Sequence, residues 1–508
     1  MNLKKTALLN TITSAIDYGV RLAVNFILNP IILNSLGGYF FSIWKVLRQL
    51  NSYMATGDLK AATSLKWIIS KDRNSKENSE LAHSYSTAIY SFLLLLPLYI
   101  TIGVIIVMSA PYVTKSNLED YYIVRSTSVV LVSTFILMQF FFLYESLLHA
   151  MNMAYKRIGL RSVILIIGGA GNIIVLKLGY SIFEMALVNM GTIVLNGGAM
   201  FVIAKNNISW LSIVKVKFKE IKSFTILSFQ YTLQKVALLL SNSSDLLLLG
   251  FLAGPEYVVQ YTFTIFAMIG IKGFVQMITT AIVPGIGTFY GEKNYEKVFN
   301  IRQKLLEIKR MLLTVCSIVI CLFNKSFIEL WTDNTDLYSG QINTYLITIL
   351  ATFRVLSIVD KSFINISLKI KRQILISILS SIIIITLSFI LIPFFNITGL
   401  LIALVIGVFT ELLLNASYLQ RLLRSFNLLK DLAYSKSFII SNIVILLIVL
   451  LVKEIDVTNW GFLIFYTLLT ATLSLILYWF LILNKTDKNW IVESVKTSIM
   501  KNKKHNEK

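Results

Sequence analysis

The chain has 508 residues, of which 56% are hydrophobic and only 14% are charged, and its mean hydropathy is +0.73. Soluble globular proteins carry about 25% charged residues, so a soluble chain of this composition could not cover its own surface. The composition therefore excludes a soluble protein and predicts that much of the apolar surface faces lipid. The net charge of +21 would suggest nucleic-acid binding in a soluble protein. In a polytopic membrane protein, cationic cytoplasmic loops produce the same balance, so we expect no nucleic-acid partner.

Apolar segments long enough to cross a bilayer recur from one end of the chain to the other. We predict membrane spans near residues 8–33, 39–61, 84–109, 125–149, 160–179, 181–204, 224–250, 256–284, 308–331, 341–365, 373–393, 397–419, 436–453 and 460–483. The predicted fold class is thus an all-α polytopic membrane protein with about 14 transmembrane helices.

The lysines and arginines are distributed very unevenly between alternate loops. If both termini are cytoplasmic, the loops predicted outside hold only Lys115, Arg125, Lys177, Lys325 and Lys453. The loops predicted inside hold far more, including Arg302, Lys309 and Arg310 around the start of the ninth span. Because cytoplasmic loops carry the excess of basic residues, we predict a multi-pass protein of the inner (cytoplasmic) membrane with both termini cytoplasmic.

The sequence shows no pattern for a metal, a disulfide or a nucleotide. Cys316 and Cys321 lie five residues apart in one apolar run and are interpreted as packing residues. The three histidines lie at or beyond the predicted span ends, where a helix-capping role suits His149 better than catalysis. No phosphate-binding loop or metal-ligand spacing is found. We therefore expect no cofactor and no enzymatic activity.

After the basic residues assigned to loops are set aside, eight remain inside the predicted spans: Arg21, Lys45, Arg48, Lys60, Lys235, Lys272, Arg354 and Lys361. A charge near the bilayer centre costs about 2.5–3.5 kcal/mol on insertion scales. Lys60 and Lys361 lie near predicted cytoplasmic ends and could extend their ammonium groups to the interface. The other six require a water-filled cavity, a partner or a ligand.

Polar residues accompany these cations on single helical faces. The first span carries a stripe whose members are spaced by four, three, four and four residues: Asn10, Ser14, Asp17, Arg21 and Asn25. The second, seventh, eighth and tenth spans carry similar stripes. Each stripe opposes an apolar face, so the five polar faces could converge on one cavity.

Acidic residues within the spans offer an alternative, in which the charges simply pair between helices. Asp17 and Arg21 have the spacing of a helical ion pair, and Glu145 could neutralise Arg48 or Arg21. The acids are nevertheless fewer than the cations, and Lys235 and Lys272 have no acid one turn away. A cavity with surplus positive charge predicts an anionic cargo, and phosphate or pyrophosphate suits both Arg and Lys. Four acids could instead couple transport to H⁺ or Na⁺: Asp17, Glu145, Asp245 and Asp360.

Short motifs in both halves carry a family resemblance. The first half has a polar first span ending at Pro30, then Leu36-Gly37-Gly38-Tyr39, Ile43-Trp44 and Gly57-Asp58-Leu59-Lys60. The second half has the run from Asp245 to Gly250, then Pro284 and Gly291-Glu292-Lys293. Together these stretches resemble the polysaccharide flippases of the multidrug/oligosaccharidyl-lipid/polysaccharide exporter (MOP) superfamily, although Lys60 stands where glycine is more usual.

The resemblance implies a V-shaped transporter of two six-helix lobes. The implied domains are an N-lobe at 1–222, a C-lobe at 223–434, an accessory helix pair at 435–484 and a basic cytoplasmic tail at 485–508. The lobes would enclose a central cavity, and six of the intramembrane cations fall on the implied cavity helices: Arg21, Lys45, Arg48, Lys235, Lys272 and Arg354. The basic tail is expected at the anionic inner leaflet or on a pathway partner.

The resemblance also implies the cargo, an oligosaccharide repeat unit linked through pyrophosphate to undecaprenol, for O-antigen or capsule synthesis. Expected partners are this lipid-linked oligosaccharide, membrane lipids, a polysaccharide polymerase and a chain-length regulator. A multidrug exporter and a lipid II flippase of the same superfamily remain alternatives. A membrane-embedded polysaccharide polymerase is a further one, although such enzymes usually carry a large outer loop, which this chain lacks.

Overall fold

The computed structural model describes residues 3–56, 61–72, 77–151, 153, 159–226, 244–367, 369–423, 443, 447, 454–483 and 488. Helices make up nearly all of this part of the chain, which contains no strand. The helices before the middle of the chain are α1 Leu3–Ser52, α2 Ala61–Asp72, α3 Asn78–Val113, α4 Tyr121–Ala150, α5 Leu160–Lys177 and α6 Ile182–Asn207. Residues 218–226 are also helical.

The later helices are α7 Asp245–Leu252, α8 Pro255–Thr264, α9 Phe266–Gly291, α10 Tyr295–Thr332, α11 Gln341–Ile366, α12 Lys371–Leu422 and α13 Trp460–Leu477, and a π-helical turn follows at Tyr478–Ile482. Nine helices in the described part are long and apolar enough to cross a membrane, or ten if the bent pair α8 and α9 counts as one span. The prediction of an all-helical, multi-pass membrane protein is confirmed.

Two of these helices each contain two predicted spans. The chain leaves helical geometry inside α1 only at Gly37 (φ 74°) and inside α12 only at Asn396 (φ 47°). Glycine adopts a positive φ without steric cost, so the predicted turn at Leu36-Gly37-Gly38 reverses the chain within these residues and requires no additional loop. The predicted span 436–453 and most of 224–250 lie outside the described residues.

The second predicted span ends earlier than expected. It was predicted to reach residue 61, but the α-helix ends at Ser52 and a 3₁₀ turn follows at Tyr53–Thr56. The Ser52 hydroxyl donates to the Gln49 carbonyl at 2.6 Å. Such local side-chain to backbone bonds compete with helix propagation, and a hydropathy pattern does not register them.

The chain divides into two compact units that do not follow the order of the sequence. The first unit contains Met1–Val259 and Ile385–Asn396, and the second contains Gln260–Ile384 and Ile397–Lys508. Within the first unit, the Phe251 and Phe389 rings lie 6.5 Å apart, and the Asn396 amide donates to the Tyr257 hydroxyl at 3.0 Å. The lobe boundary inferred at residues 222–223 from the family resemblance stays a prediction.

Each unit has its own apolar core. In the first, buried side chains of α3 and α4 such as Phe92 and Leu147 pack with Trp210 and Phe224 from the segment that follows α6. In the second, Leu305 and Leu306 of α10 pack with Val359 and Phe363 of α11. These cores hold the helices that carry the intramembrane charges.

Candidate functional site

In the first unit, Lys45 lies inside the hairpin formed by α1. Its ammonium donates to the Asn29 side-chain oxygen at 2.7 Å and lies 5.0 Å from the centre of the Phe41 ring. Sixteen residues of straight helix would separate Asn29 from Lys45 by about 24 Å. The contact therefore requires the reversal at Gly37, which lies midway between them. Asn29 is buried, and its amide is a neutral partner for the cation.

The two arginines of α1 are exposed at the protein surface. Arg48 lies 5.7 Å from the centre of the Trp44 ring, in cation–π geometry. Among the described residues, no carboxylate lies within ion-pairing distance of Arg21, Lys45 or Arg48. In the described part of the first unit, these three predicted cavity cations therefore have no direct ion pair with an acid.

Those acids have other partners. The buried Asp17 carboxylate accepts a hydrogen bond from the Ser162 hydroxyl at 2.8 Å, although the sequence suggested a pair with Arg21. Glu145 pairs with Arg161 at 3.1 Å, and not with Arg48 or Arg21. Both partners come from the first turn of α5, a contact between distant residues that local spacing does not reveal. Asp245 lies in the first turn of α7 and accepts a hydrogen bond from the Leu246 backbone.

In the second unit, Lys272 of α9 and Arg354 of α11 line one recess that opens to the surface. The rest of its lining is apolar: Ile265, Met268, Ile269, Ile347, Leu350 and Ala351. Arg354 is buried, and its Nε and Nη2 atoms have no hydrogen-bond partner among the described residues. A buried guanidinium whose donors are unused is an incomplete site, because burying such a group without partners is costly.

The second unit also contains two buried ion pairs, and the cation of each was expected in a different environment. Arg302 was assigned to a cytoplasmic loop, but it lies buried in α10 and makes two hydrogen bonds to Asp360, at 2.6 and 3.1 Å. Lys361 was expected to reach the interface, but it is buried and pairs with Glu411 at 2.7 Å. Asp360, one of the predicted coupling acids, is therefore held by a cation in this structure.

The same correction applies further along α10. Lys309 and Arg310 were assigned to the loop before the ninth span, but both lie within the helix. Lys309 is fully buried and hydrogen-bonded to the Thr279 hydroxyl, and Glu307 accepts from Tyr478 at 3.0 Å. The helix begins well before its continuous apolar stretch, so hydropathy alone underestimates its length. Apolar residues at helical spacing, such as Val298 and Leu305, were the available signal.

The structure therefore brings Lys272 and Arg354 together, and it leaves Lys45, Arg48 and Arg21 on one hairpin. Lys235 and Lys60 lie outside the described residues. Among the described residues, no group of three or more histidine, cysteine, aspartate or glutamate side chains is arranged to hold a metal ion. The roles assigned to these cations and acids stay predictions.

Comparison with known proteins is informative at the level of fold. No protein-family model and no curated protein matches the chain. A structure of the lipid II flippase MurJ in an inward closed conformation is similar to it, with a TM-score of 0.69 and 16% identity, over 93% of this chain and 99% of that one. An inward-facing multidrug resistance MATE family transporter of the MOP superfamily gives a TM-score of 0.60 and 12% identity, over 83% and 100% of the two chains.

A third similar structure is a MOP superfamily transporter from Pyrococcus furiosus, described as having a binding pocket of reverse polarity. Its TM-score is 0.55 at 16% identity, over 83% of this chain and 96% of that one. All three identities are low, so the likeness concerns the fold. The chain is a multi-pass membrane protein with the fold of the MOP superfamily transporters.

Proposed function

We propose that the chain is a flippase that translocates undecaprenyl-pyrophosphate-linked oligosaccharide repeat units across the cytoplasmic membrane by alternating access, for surface polysaccharide biosynthesis. The observation that carries the proposal is the recess of the second unit, where the buried Arg354 guanidinium has unused donors beside Lys272. A pyrophosphate would supply the missing acceptors.

The chemistry of the recess suits a phosphate group better than an organic cation. A guanidinium presents its donors in a planar fork that matches two phosphate oxygens, and a lysine adds a mobile point charge. The apolar lining lowers the local dielectric, which strengthens each charge-assisted hydrogen bond. Lys45, Arg48 and Arg21 of the first unit add positive charge, and none of them forms a direct ion pair with a carboxylate in the described part of that unit.

The comparisons favour a flippase over a drug exporter. The lipid II flippase structure matches more of the chain, and with a higher TM-score, than the multidrug transporter does. A drug exporter for organic cations would need acids free to face its cargo. Here Glu145, Asp360 and Glu411 each have a cationic partner. Between the two flippase cargoes, the motifs near Pro30 and Asp245 resemble those of polysaccharide flippases, and lipid II is the alternative cargo.

The cargo can be tested with the purified full chain in vesicles. Fluorescent undecaprenyl-pyrophosphate oligosaccharide and lipid II would be loaded in parallel, and their exposure on the opposite leaflet would be followed by dithionite quenching. We expect translocation of the oligosaccharide-linked lipid to exceed that of lipid II. Arg354→Gln and Lys272→Gln should each lower the rate by about tenfold or more, since a hydrogen bond to a charged group contributes about 1.5–3 kcal/mol.

The matched control is Lys371→Gln, which removes one positive charge from an exposed site outside the predicted spans. It should translocate at the wild-type rate. Faster lipid II translocation would move the assignment to the lipid II alternative. Wild-type rates for both recess variants would contradict the anionic-cargo site.

Alternating access can be tested through a contact inside the first unit. A Cβ atom placed on Gly250 of α7 would lie 2.9 Å from Cγ2 of Val46 in α1. Cysteines at these two positions are within reach of a disulfide. If α7 must separate from α1 during the cycle, oxidation of a Val46→Cys, Gly250→Cys variant should stop translocation, and reduction should restore it.

The control pair is Gly171→Cys with Val188→Cys, where the corresponding distance is 3.0 Å between α5 and α6. These helices pack within one predicted lobe and are not expected to separate, so cross-linking them should leave the rate unchanged. Both pairs require prior replacement of the native Cys316 and Cys321. Full activity of the oxidised Val46–Gly250 pair would rule out opening at this contact.

A coupling ion is a further part of the proposal. Asp17 is a predicted coupling acid whose described partner is a neutral hydroxyl, that of Ser162, so it can exchange a proton or hold Na⁺ without first releasing a cation from an ion pair. Imposed H⁺ and Na⁺ gradients across the vesicles should therefore change the translocation rate of the wild type, and Asp17→Asn should abolish the response to the effective gradient.

A further inference from the structure

The segment that follows α6 has an unusual surface. Over residues 213–226, which we name the basic segment, three large apolar side chains are more than half exposed: Ile213 at 63%, Phe218 at 65% and Ile226 at 57%. Four lysines are exposed among them: Lys215, Lys217, Lys219 and Lys222. None of the four ammonium groups has an ion-pair partner among the described residues.

Helical geometry places some of these exposed side chains on one face of the basic segment. Residues 218–226 are helical, so Phe218, Lys222 and Ile226, each four positions apart, share a face. The opposite face carries Phe224, which is buried in the core of the first unit. The exposed face therefore consists of apolar residues interleaved with lysines. It cannot be buried by rotation of the helix, because Phe224 holds the opposite face in the core.

Several hydrogen bonds fasten the basic segment to α3. The Val214 backbone N–H donates to the Ser86 hydroxyl at 2.8 Å, and the Thr225 hydroxyl donates to the Ser91 hydroxyl at 3.1 Å. His83 Nε2 lies 3.1 Å from a carboxylate oxygen of Glu220. The surface is thus an ordered part of the first unit and presents its lysines and apolar groups in a fixed arrangement.

We propose that the basic segment is a docking surface for anionic phospholipids of the leaflet it faces. The four lysines would lie at the phosphate headgroups, with Ile213, Phe218 and Ile226 at the level of the upper acyl chains. Short helices with exposed large apolar residues and lysines bind at the bilayer interface in this way. Each lysine near an anionic leaflet strengthens binding about fivefold.

The position of the segment along the chain identifies the occupant as lipid. It begins a few residues after α6 ends at Asn207 and leads into the predicted span 224–250, so both of its ends are held at the membrane surface. An acidic protein partner would complement the lysines but would leave Phe218 and Ile226 without an apolar environment. A bilayer interface supplies both at once.

The test uses the full chain in neutral detergent, without any transport cargo. Phosphatidylglycerol and phosphatidylcholine would be titrated in, and bound lipids would be counted by native mass spectrometry. We expect the wild type to prefer phosphatidylglycerol. Replacing Lys215, Lys217, Lys219 and Lys222 by glutamine should remove most of this preference, about fivefold for each lysine.

The matched control removes four exposed lysines from other loops predicted to lie on the same side: Lys293, Lys297, Lys369 and Lys371. It loses the same charge and should keep its lipid preference. An equal loss in the control, or an unchanged preference in the first variant, would overturn the proposal, because binding would then depend on total charge or on another surface.

A second measurement locates the bound lipid on the wild-type protein directly. A photoactivatable phosphatidylglycerol in vesicles should label peptides containing residues 213–226 of the wild-type protein, and excess unlabelled phosphatidylglycerol should compete. Phe218→Ser with Ile226→Ser should weaken this labelling while all four lysines remain. Labelling only at other peptides would contradict the assignment.

Discussion

Two buried cations of the second unit and two cations of the first unit are held in different ways. In the second unit, Arg302 and Lys361 are buried against the carboxylates of Asp360 and Glu411. In the first unit, Lys45 is bonded to a neutral amide and Arg48 lies against an aromatic ring. A buried cation paired with a carboxylate is satisfied within the protein, whereas a cation with a neutral partner keeps most of its charge available to an anion. The comparison separates cations that stabilise the fold through an ion pair from cations that can bind a cargo, and the second group also includes Arg354 of the second unit.

The largest expected effect comes from breaking the buried pair. Arg302→Ala should lower the free energy of unfolding by about 3–5 kcal/mol, because the buried Asp360 carboxylate loses the cation that donates two hydrogen bonds to it. Unfolding by titration with dodecyl sulfate in mixed micelles would measure it. The double change Arg302→Met with Asp360→Leu should recover most of the loss, since a well-packed apolar pair can replace a buried ion pair.

The control for this experiment is Lys325→Ala. Lys325 pairs with Asp456 at 2.8 Å, and the two side chains are 30% and 67% exposed. An exposed pair contributes at most about 1 kcal/mol. If Arg302→Ala lowered the free energy of unfolding no more than Lys325→Ala does, the buried Arg302–Asp360 pair would not be a source of stability.

An intermediate effect is expected at Lys45. Lys45→Met should lower the free energy of unfolding by about 1–3 kcal/mol, because the buried Asn29 side-chain oxygen loses its hydrogen-bond partner. Adding Asn29→Leu should restore stability without restoring translocation of the lipid-linked oligosaccharide. Recovery of translocation in the double variant would show that Lys45 serves only to satisfy Asn29.

A smaller effect on stability is expected at Arg48. Its described contact is the Trp44 ring, and an exposed cation–π contact contributes about 0.5–1 kcal/mol. Arg48→Gln should therefore unfold almost like the wild type while its translocation rate falls clearly. A loss of stability comparable to that of Arg302→Ala would show that Arg48 has a structural role like that of Arg302.

The smallest effect concerns pH and the attachment of the basic segment to the first unit. The Lys217 backbone N–H holds the pKa of the Glu220 carboxyl below its usual value, and His83 contributes. A carboxyl with a lowered pKa stabilises the folded segment above the pKa of a free glutamate, and this stabilisation is lost as the pH falls through the folded pKa. The protection of amides at 213–226 against exchange, relative to their intrinsic rates at each pH, should therefore fall as the pH drops through the lowered pKa of Glu220, and Glu220→Gln should show no such change.

Sequence reasoning was most successful where a single local feature decides the structure. The turn at Gly37 follows from adjacent glycines between two apolar runs, and the limits of α4 and α5 follow from the lengths of their apolar stretches. The recess residues Lys272 and Arg354 could also be selected from the sequence, because a cation inside a membrane span requires water, a partner or a ligand.

It was least successful where the partner of a charge decides its position. Arg302 and Asp360 lie 58 residues apart, so no window of sequence links them, and a charged residue ahead of an apolar stretch resembles a loop. Lys361 was judged by its distance from the span end, whereas Glu411 on another helix determines where it lies. Such pairings are properties of packing, which a single sequence does not contain.

The composition of the first unit has a consequence for how the protein is made. Residues Ile385–Asn396 belong to that unit, although more than a hundred residues of the second unit precede them in the chain. Domains often fold in turn as the ribosome releases them, the N-terminal one first. Here the first unit cannot be completed until Asn396 has been synthesised and inserted. Until then its earlier helices must therefore remain in the bilayer without their complete set of contacts. In that state they are accessible to the proteases and chaperones that act on nascent membrane proteins.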